Sequence, residues 1–381
     1  MAVEKIKGIT MEIRKLRREE HSQTKALWKT VFEEDTEEFL EYYYNVKTLE
    51  NEIYVSEDHH HICAMLHLNP YQLQIGESQN QGNYIVAVAT QQKYRKQGIM
   101  ASLLKVAMNE MYRRKEPFTF LMPAAEAIYR PFDFRFIYQQ GQAIVKGEKT
   151  RDNDEIQIRM ATKEDSRMLA NFANEWLEKR YQIYVRRNQH YYDALLGELQ
   201  SEDGGIALVY QNSEFIGQAA CVKENGYQVR EPMFCKEDIH ALPYVVDYIT
   251  KGDTTKIPCI GYGQEVTKPM IMGRIIHAET CLRFLEVREA LCCCFTIEDS
   301  ILEQNTQTFM IQGDARGITV TKVVRSKSQG EISIAALTSF IFGDKTLEEL
   351  ECEEGISLSS HLQREFAKII PFSRIYLNEI V

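Results

Sequence analysis

The chain opens the same way twice. Ile13-Arg14-Lys15-Leu16-Arg17-Arg18-Glu19-Glu20 and Ile158-Arg159-Met160-Ala161-Thr162-Lys163-Glu164-Asp165 each read as a short strand, a polar turn and the acidic first turn of a helix. Apolar periodicity continues both helices, through Leu27, Val31 and Phe32 in one and Leu169, Phe172, Trp176 and Leu177 in the other. Each is followed by a second helix and then a hairpin. The first hairpin pairs Ile53–Ser56 with Ile62–Leu68, the second Ile206–Tyr210 with Phe215–Val222. A duplicated βααββ unit commits most of the chain to two mixed sheets covered by helices, joined by the polar stretch Gly147 to Glu155. A third segment begins near Lys268. Its strands read as Ile271–Ile276, Leu291–Ile297, Phe309–Gln312, Gly317–Val323 and Glu331–Ile334, and its helices as Ala278–Val287, Ser333–Phe342 and Thr346–Glu351. That mixture predicts a small α+β layer.

The two copies differ where chemistry is possible. In the first, a β-branched run (Tyr84 to Thr90) meets a turn carrying Arg95, Lys96 and Gly98, and a helix starts at once on Ile99, Leu103, Leu104, Ala107, Met108 and Met111. Such a turn aims unpaired N–H groups and the positive end of a helix dipole at one spot, which suits a phosphate or pyrophosphate. Glycine lets the backbone approach closely because it has no Cβ. The competing reading is an ordinary strand–helix connection with solvated basic residues. In the second copy, Tyr227–Phe234 precedes a helix over Lys236–Thr250 with no Arg-x-x-Gly turn between them. That copy is expected to lack the anion site and to serve packing and the shape of the substrate cleft.

Composition narrows the partners. A chain of 381 residues suggests two or three domains, and 44% apolar with 26% charged residues is ordinary for a soluble globular protein. A net charge of −10 argues against nucleic acid and suits a positively charged substrate. Met1 to Thr10 has no apolar core for a signal peptide, and no run approaches the ~20 apolar residues a membrane span needs. The nine cysteines include no Cys-x-x-Cys pair, so neither a metal cluster nor a disulfide framework is expected, and a reducing cytoplasm is. Cys292-Cys293-Cys294 reads as a buried strand and His59-His60-His61 as a hairpin turn.

Arg95-Lys96-Gln97-Gly98-Ile99-Met100 resembles the acetyl-CoA loop of the GCN5-related N-acetyltransferases (GNAT), Gln/Arg-x-x-Gly-x-Gly/Ala, with Met100 in place of the last small residue. Ile128-Tyr129-Arg130-Pro131-Phe132-Asp133-Phe134 resembles a stretch of the enhanced-intracellular-survival (Eis) acetyltransferases, with Arg130 and Pro131 departing from it. The third segment is similar to their last domain through Met272-Gly273-Arg274-Ile275-Ile276, Asp299, Ala335-Ala336-Leu337-Thr338 and Phe342-Gly343. The resemblance implies an α+β chain of tandem GNAT-fold domains followed by a sterol-carrier-protein-like domain. Their bounds would be 1–150, which holds acetyl-CoA, 151–265, which does not, and 266–381.

It also implies an activity: acetyl transfer from acetyl-CoA, without a metal, to amines of a cationic substrate such as an aminoglycoside. Amides from Lys96 to Ala101, flanked by Arg95, would hold the pyrophosphate. Val88, Ala89 and Thr90 would bind pantetheine by backbone and polarise the carbonyl, and Ala124 and Ala125 would complete the cofactor site. Tyr129 would protonate the leaving thiolate, since a phenol near ~10 can donate to a thiolate of about 8.5. A tyrosine there could instead be packed with its hydroxyl on a backbone group. The base implied is the C-terminal carboxylate of Val381, at the end of Arg374-Ile375-Tyr376-Leu377-Asn378-Glu379-Ile380-Val381, an apolar and β-prone tail that could also be buried for packing alone. The resemblance further implies a homo-oligomer, most simply a hexamer. The alternative is a sensor that binds CoA or a lipid-like ligand without turnover.

Overall fold

The computed structural model describes residues 2–6, 9–149, 156–223, 226–235, 237–252, 254–258, 266–352 and 356–379. Val381, Cys259 and most of the polar linker lie outside them. The first part of the chain builds β1 (Ala2–Ile6), β2 (Ile9–Lys15), α1 (Lys25–Val31), α2 (Glu37–Asn45), β3 (Glu52–Asp58), β4 (His61–Ile75), β5 (Ser78–Thr90), α3 (Ile99–Arg113), β6 (Phe118–Leu121), α4 (Glu126–Tyr129) and β7 (Arg135–Lys146). The second part builds β8 (Ile156–Met160), α5 (Ser166–Glu178), β9 (Ile183–Val185), α6 (Gln189–Ser201), β10 (Gly205–Gln211), β11 (Glu214–Lys223), β12 (Tyr227–Phe234), α7 (Leu242–Thr250) and β13 (Thr254–Pro258). The remainder builds β14 (Val266–Ile275), α8 (Ala278–Leu282), β15 (Glu286–Val287), β16 (Leu291–Glu298), β17 (Thr308–Asp314), β18 (Gly317–Val323), β19 (Gly330–Ser333), α9 (Ile334–Ile341), α10 (Leu347–Glu351), β20 (Ile356–Leu358), α11 (Ser360–Phe366), β21 (Ile369–Ile370) and β22 (Ile375–Tyr376).

Both copies of the repeat start with a self-capped turn. Glu20 reaches back to the amide of Arg17, and Asp165 to that of Thr162, each fixing the chain as it leaves a strand. His59 and His60, both at positive φ, form the tight turn between β3 and β4. The helix expected over Ala278–Val287 stops at Leu282. Arg283, Phe284 and Leu285 continue as turns, and Glu286–Val287 pairs with Ile369–Ile370.

The main sheet runs β1-β2-β3-β4-β5-β6-β14-β7-β13, and β9 and β22 extend it beside β4. Three parts of the chain therefore share one sheet. Strand β14 enters between β6 and β7, so the main sheet contains a strand that follows the second copy in sequence. The second copy keeps its own sheet, β12-β11-β10-β8, and the last part a five-stranded one, β18-β17-β16-β19-β20. In β16 Cys293 and Cys294 are buried while Cys292 faces out, and the described cysteines are all free.

Arg274 locks these layers together. Its side chain is fully buried and donates to Asp299 Oδ1 (2.6 Å), to the Phe132 carbonyl (2.9 Å) and to the Ile275 carbonyl (2.9 Å). Asp299 also accepts from the amides of Ile301 and Leu302 and from Asn305. Removing one partner leaves a buried charge uncompensated. Arg274→Met is accordingly expected to cost about 3–5 kcal/mol of stability, read by chemical denaturation. A variant as stable as the parent would show the pair to be dispensable.

Candidate active site

Strand β5 is broken in the middle by a bulge. Met65 faces Ala89 and His67 faces Val86, so Ala87 and Val88 stand opposite Leu66 alone. Ala87 has φ +52°, a conformation an alanine adopts only where the surroundings impose it. A bulge frees backbone groups from the ladder and re-aims them. Before it β5 and its parallel neighbour β6 share one register pair, Tyr84 with Phe120. The two strands thus diverge toward their C-terminal ends, and the turns after them meet there. Val88 and Thr90 are half-buried and Ala89 buried on β5, whereas Ala124 and Ala125 are exposed after β6, with Ala125 at the N-cap of α4.

The turn after β5 leads directly into helix α3. Gly98 is the N-cap of α3 at φ +85°, and no side chain caps the helix. The first helical amides, Ile99, Met100 and Ala101, have no intrahelical acceptor and project from a positive helix end. Arg95 and Lys96 are exposed there, Arg95 Nε donating to the Thr90 carbonyl (3.0 Å) and Gln97 to that of Lys93 (3.1 Å). A Cβ on Gly98 would meet open space, so the constraint is the left-handed φ. Gly98→Val is expected to weaken acetyl-CoA binding by about tenfold or more, since strain of this kind costs of order 1–3 kcal/mol. Unchanged affinity by calorimetry would exclude this turn as the pyrophosphate site.

Tyr129 ends the single turn of α4 and is buried, its ring edge-on to Phe134 at 5.9 Å. Among the described residues its hydroxyl has no hydrogen-bond partner. The alternative of a hydroxyl tied to a backbone group therefore does not hold among them. Burial pushes the phenol up to about 12, so it carries its proton throughout the neutral range. The Arg274 bond to the Phe132 carbonyl fixes the turn that follows.

A cavity of about 350 Å³ lies between β4, α6, β12 and the tail, lined among others by Lys47, Asn69, Tyr71, Glu198, Glu231 and Glu379. Burial pushes the Glu198 carboxyl up to about 7 against the pull of Lys47 and Arg230, and it raises Glu379 as well. The tail is built into this wall. Strand β22 runs parallel to β9, which pairs with the far end of β4. Tyr191 donates to Glu379 Oε2 (2.9 Å), and Arg187 grips Glu231 in a buried fork (2.6 and 2.5 Å) that also receives the Tyr376 hydroxyl (3.1 Å). Gln140 holds Asn378 at 2.7 Å. Arg187, Glu198, Glu231 and Glu379 were not legible as site residues, because they are isolated charges with no shared spacing. The β-prone tail was the one signal near them.

Residues 12–137 match the acetyltransferase (GNAT) domain family. The chain carries a GNAT acetyltransferase domain. That makes it an acetyl-transferring enzyme of the kind that uses acetyl-CoA as co-substrate. Residues 282–378 match the sterol carrier protein domain family. No curated protein matches the chain. Its fold is similar to that of a conserved protein of unknown function from Enterococcus faecalis described as a probable N-acyltransferase, with TM-score 0.79, 18% identity, and 96% of this chain and 99% of that one covered. It is similar too to a GCN5-related N-acetyltransferase from Anabaena variabilis (0.78, 14%, 97% and 99%) and to Eis1 from Mycobacterium abscessus (0.72, 14%, 97% and 99%). These likenesses concern the fold. Among the described residues no helix of this GNAT enzyme is long and apolar enough to cross a membrane, and no group of three or more His, Cys, Asp or Glu side chains is placed to hold a metal ion.

Proposed function

We propose that the protein transfers acetyl from acetyl-CoA to an amine of a small cationic molecule, an aminoglycoside being one such substrate. The observation that carries this reading is the uncapped, glycine-started helix α3 directly after the bulged strand β5, inside the matched GNAT domain. Acetyl-CoA would supply the activated acetyl thioester. The amides of Ile99 to Ala101, with Lys96, Gln97 and Arg95 beside them, would hold its phosphates. Backbone from Val88 to Thr90 would hold the pantetheine arm, and an amide freed by the bulge would polarise the carbonyl. Ala124 and Ala125 would leave room for the thioester end, and Tyr129 would deliver the proton to sulfur.

The amine would enter from the cavity at the tail. Its carboxyls, Glu198 and Glu379, would favour a cation when ionised, while Arg230 is paired with Glu202 (3.0 Å). The Val381 carboxylate, two residues beyond Glu379, would accept the amine proton. Thiol release from acetyl-CoA across a panel of aminoglycosides, polyamines and lysine peptides tests the reading. Binding of acetyl-CoA with no turnover on any amine would favour the sensor alternative instead. A hexamer fits the Eis-like architecture, and Ile144 and Val266, 75% and 65% exposed on one face of β7 and β14, offer apolar contact for assembly. Light scattering that shows a monomer at micromolar concentration would rule the hexamer out.

A further inference from the structure

A second cavity, of about 630 Å³, shares no lining residue with the first. Its place in the topology is informative. In the first copy the gap beside β5 opens because β6, the strand after helix α3, diverges from it. In the second copy the strand after helix α7 is β13, which stays beside the start of β12, where Thr255 donates to the Tyr227 carbonyl at 3.1 Å, but forms its ladder with β7, from Thr254 opposite Lys146 to Pro258 opposite Gln142. The gap beside β12 is thus the counterpart of the gap beside β5. Pro232 and Phe234 of β12 line it on one side, Tyr138 and Gln140 of β7 on the other.

The counterpart has different chemistry. The turn that starts with basic residues and Gly98 in the first copy reads Cys235-Lys236-Glu237-Asp238 here, without the glycine and the run of basic residues that would cradle a pyrophosphate. The cavity is aromatic instead. Trp176, Tyr181 and Tyr376 pack with ring centroids 4.9–5.9 Å apart, and Tyr138 lies 6.1 Å from Tyr376. The indole N–H is taken by the Phe234 carbonyl at 2.6 Å and the Tyr376 hydroxyl by Glu231 at 3.1 Å, so these two rings present mainly apolar surface. One group breaks that character. Half-buried Arg180 lies over the Trp176 ring at 4.6 Å and donates to its carbonyl, and no carboxylate among the described residues pairs with it. The adjacent Lys179 is paired, with Glu175 at 2.6 Å. An apolar slot of this size with one oriented cation is the usual form of a small-ligand site, and a stacked arginine suits a planar carboxylate.

We propose that this cleft of the second copy binds a small amphipathic carboxylate, its aromatic or acyl body against Tyr138, Trp176, Tyr181 and Tyr376 and its one negative charge on Arg180. The inference is independent of the amine acetylation proposed above. Isothermal titration of the full-length protein with naphthalene-2-carboxylate and with decanoate, each beside its uncharged alcohol, tests it. At least one carboxylate should bind saturably, and which one binds tells an aromatic ligand from an acyl one. Arg180→Gln should raise that carboxylate's Kd by about tenfold or more while leaving the alcohol's Kd and the melting temperature in place. No saturable binding by either acid, or the same Kd in Arg180→Gln, would overturn the proposal.

Discussion

Tyr129→Phe is expected to lower kcat by about 10²–10⁴-fold, the usual contribution of a positioned general acid. The change removes one hydroxyl and keeps the ring edge-on to Phe134. Because that hydroxyl has no partner among the described residues, its loss should leave stability and acetyl-CoA affinity near those of the parent. The loss should thus fall on kcat alone. The desolvated phenol holds its proton up to about pH 12, so neutral-range titration of Tyr129 cannot shape the parent's rate profile, and a limb seen there must come from the base or the amine. Parental kcat for the Tyr129→Phe variant in the thiol-release assay would remove Tyr129 from the chemistry.

The sequence was clearest wherever short-range pattern decides structure. The Gly98 turn was legible because a strand, a left-handed glycine and an amphipathic helix follow one another within a few residues. The same local logic exposed the βααββ opening of the first copy and the hairpins at Ile53–Leu68 and Ile206–Val222, but in the second copy it missed β9 between the two helices. The bulge at Ala87 was invisible, because Val-Ala-Val-Ala alternates like any regular strand and the extra residue arises from register against Leu66. Long-range exchange was equally hidden. Nothing in Val266–Ile275 tells that it will lie between β6 and β7, and nothing in the spacing of Arg187, Glu231 and Tyr376 tells that they will meet. In the sequence Arg274 and Asp299 stand out only as parts of a motif. Their pairing explains why that motif holds an arginine with no exposed surface, since it carries the turn after Tyr129 on one side and the turn that ends β16 on the other.

Adding a few residues after Val381 is expected to abolish most turnover while acetyl-CoA still binds, and Val381→Ala is expected to be tolerated. The reasoning starts from the anchored part of the tail. Glu379 is held by Tyr191, Asn378 by Gln140, and Ile375–Tyr376 by the β9 ladder, so the chain is pinned at the cavity wall within two residues of its end. Two residues reach at most about 7 Å, so the proposed base would act near that wall. A carboxylate of reference pKa about 3.5 is a weak base in water, and desolvation in the cleft would raise its affinity for a proton. Val381→Ala keeps that carboxylate in place and removes only apolar contact. An extension moves it and puts a neutral amide where it stood, which should cost about 10²–10⁴-fold in kcat if the group carries the amine proton. Full activity in an extended chain that still binds acetyl-CoA would make the tail a packing element and direct the search for the base to Glu198.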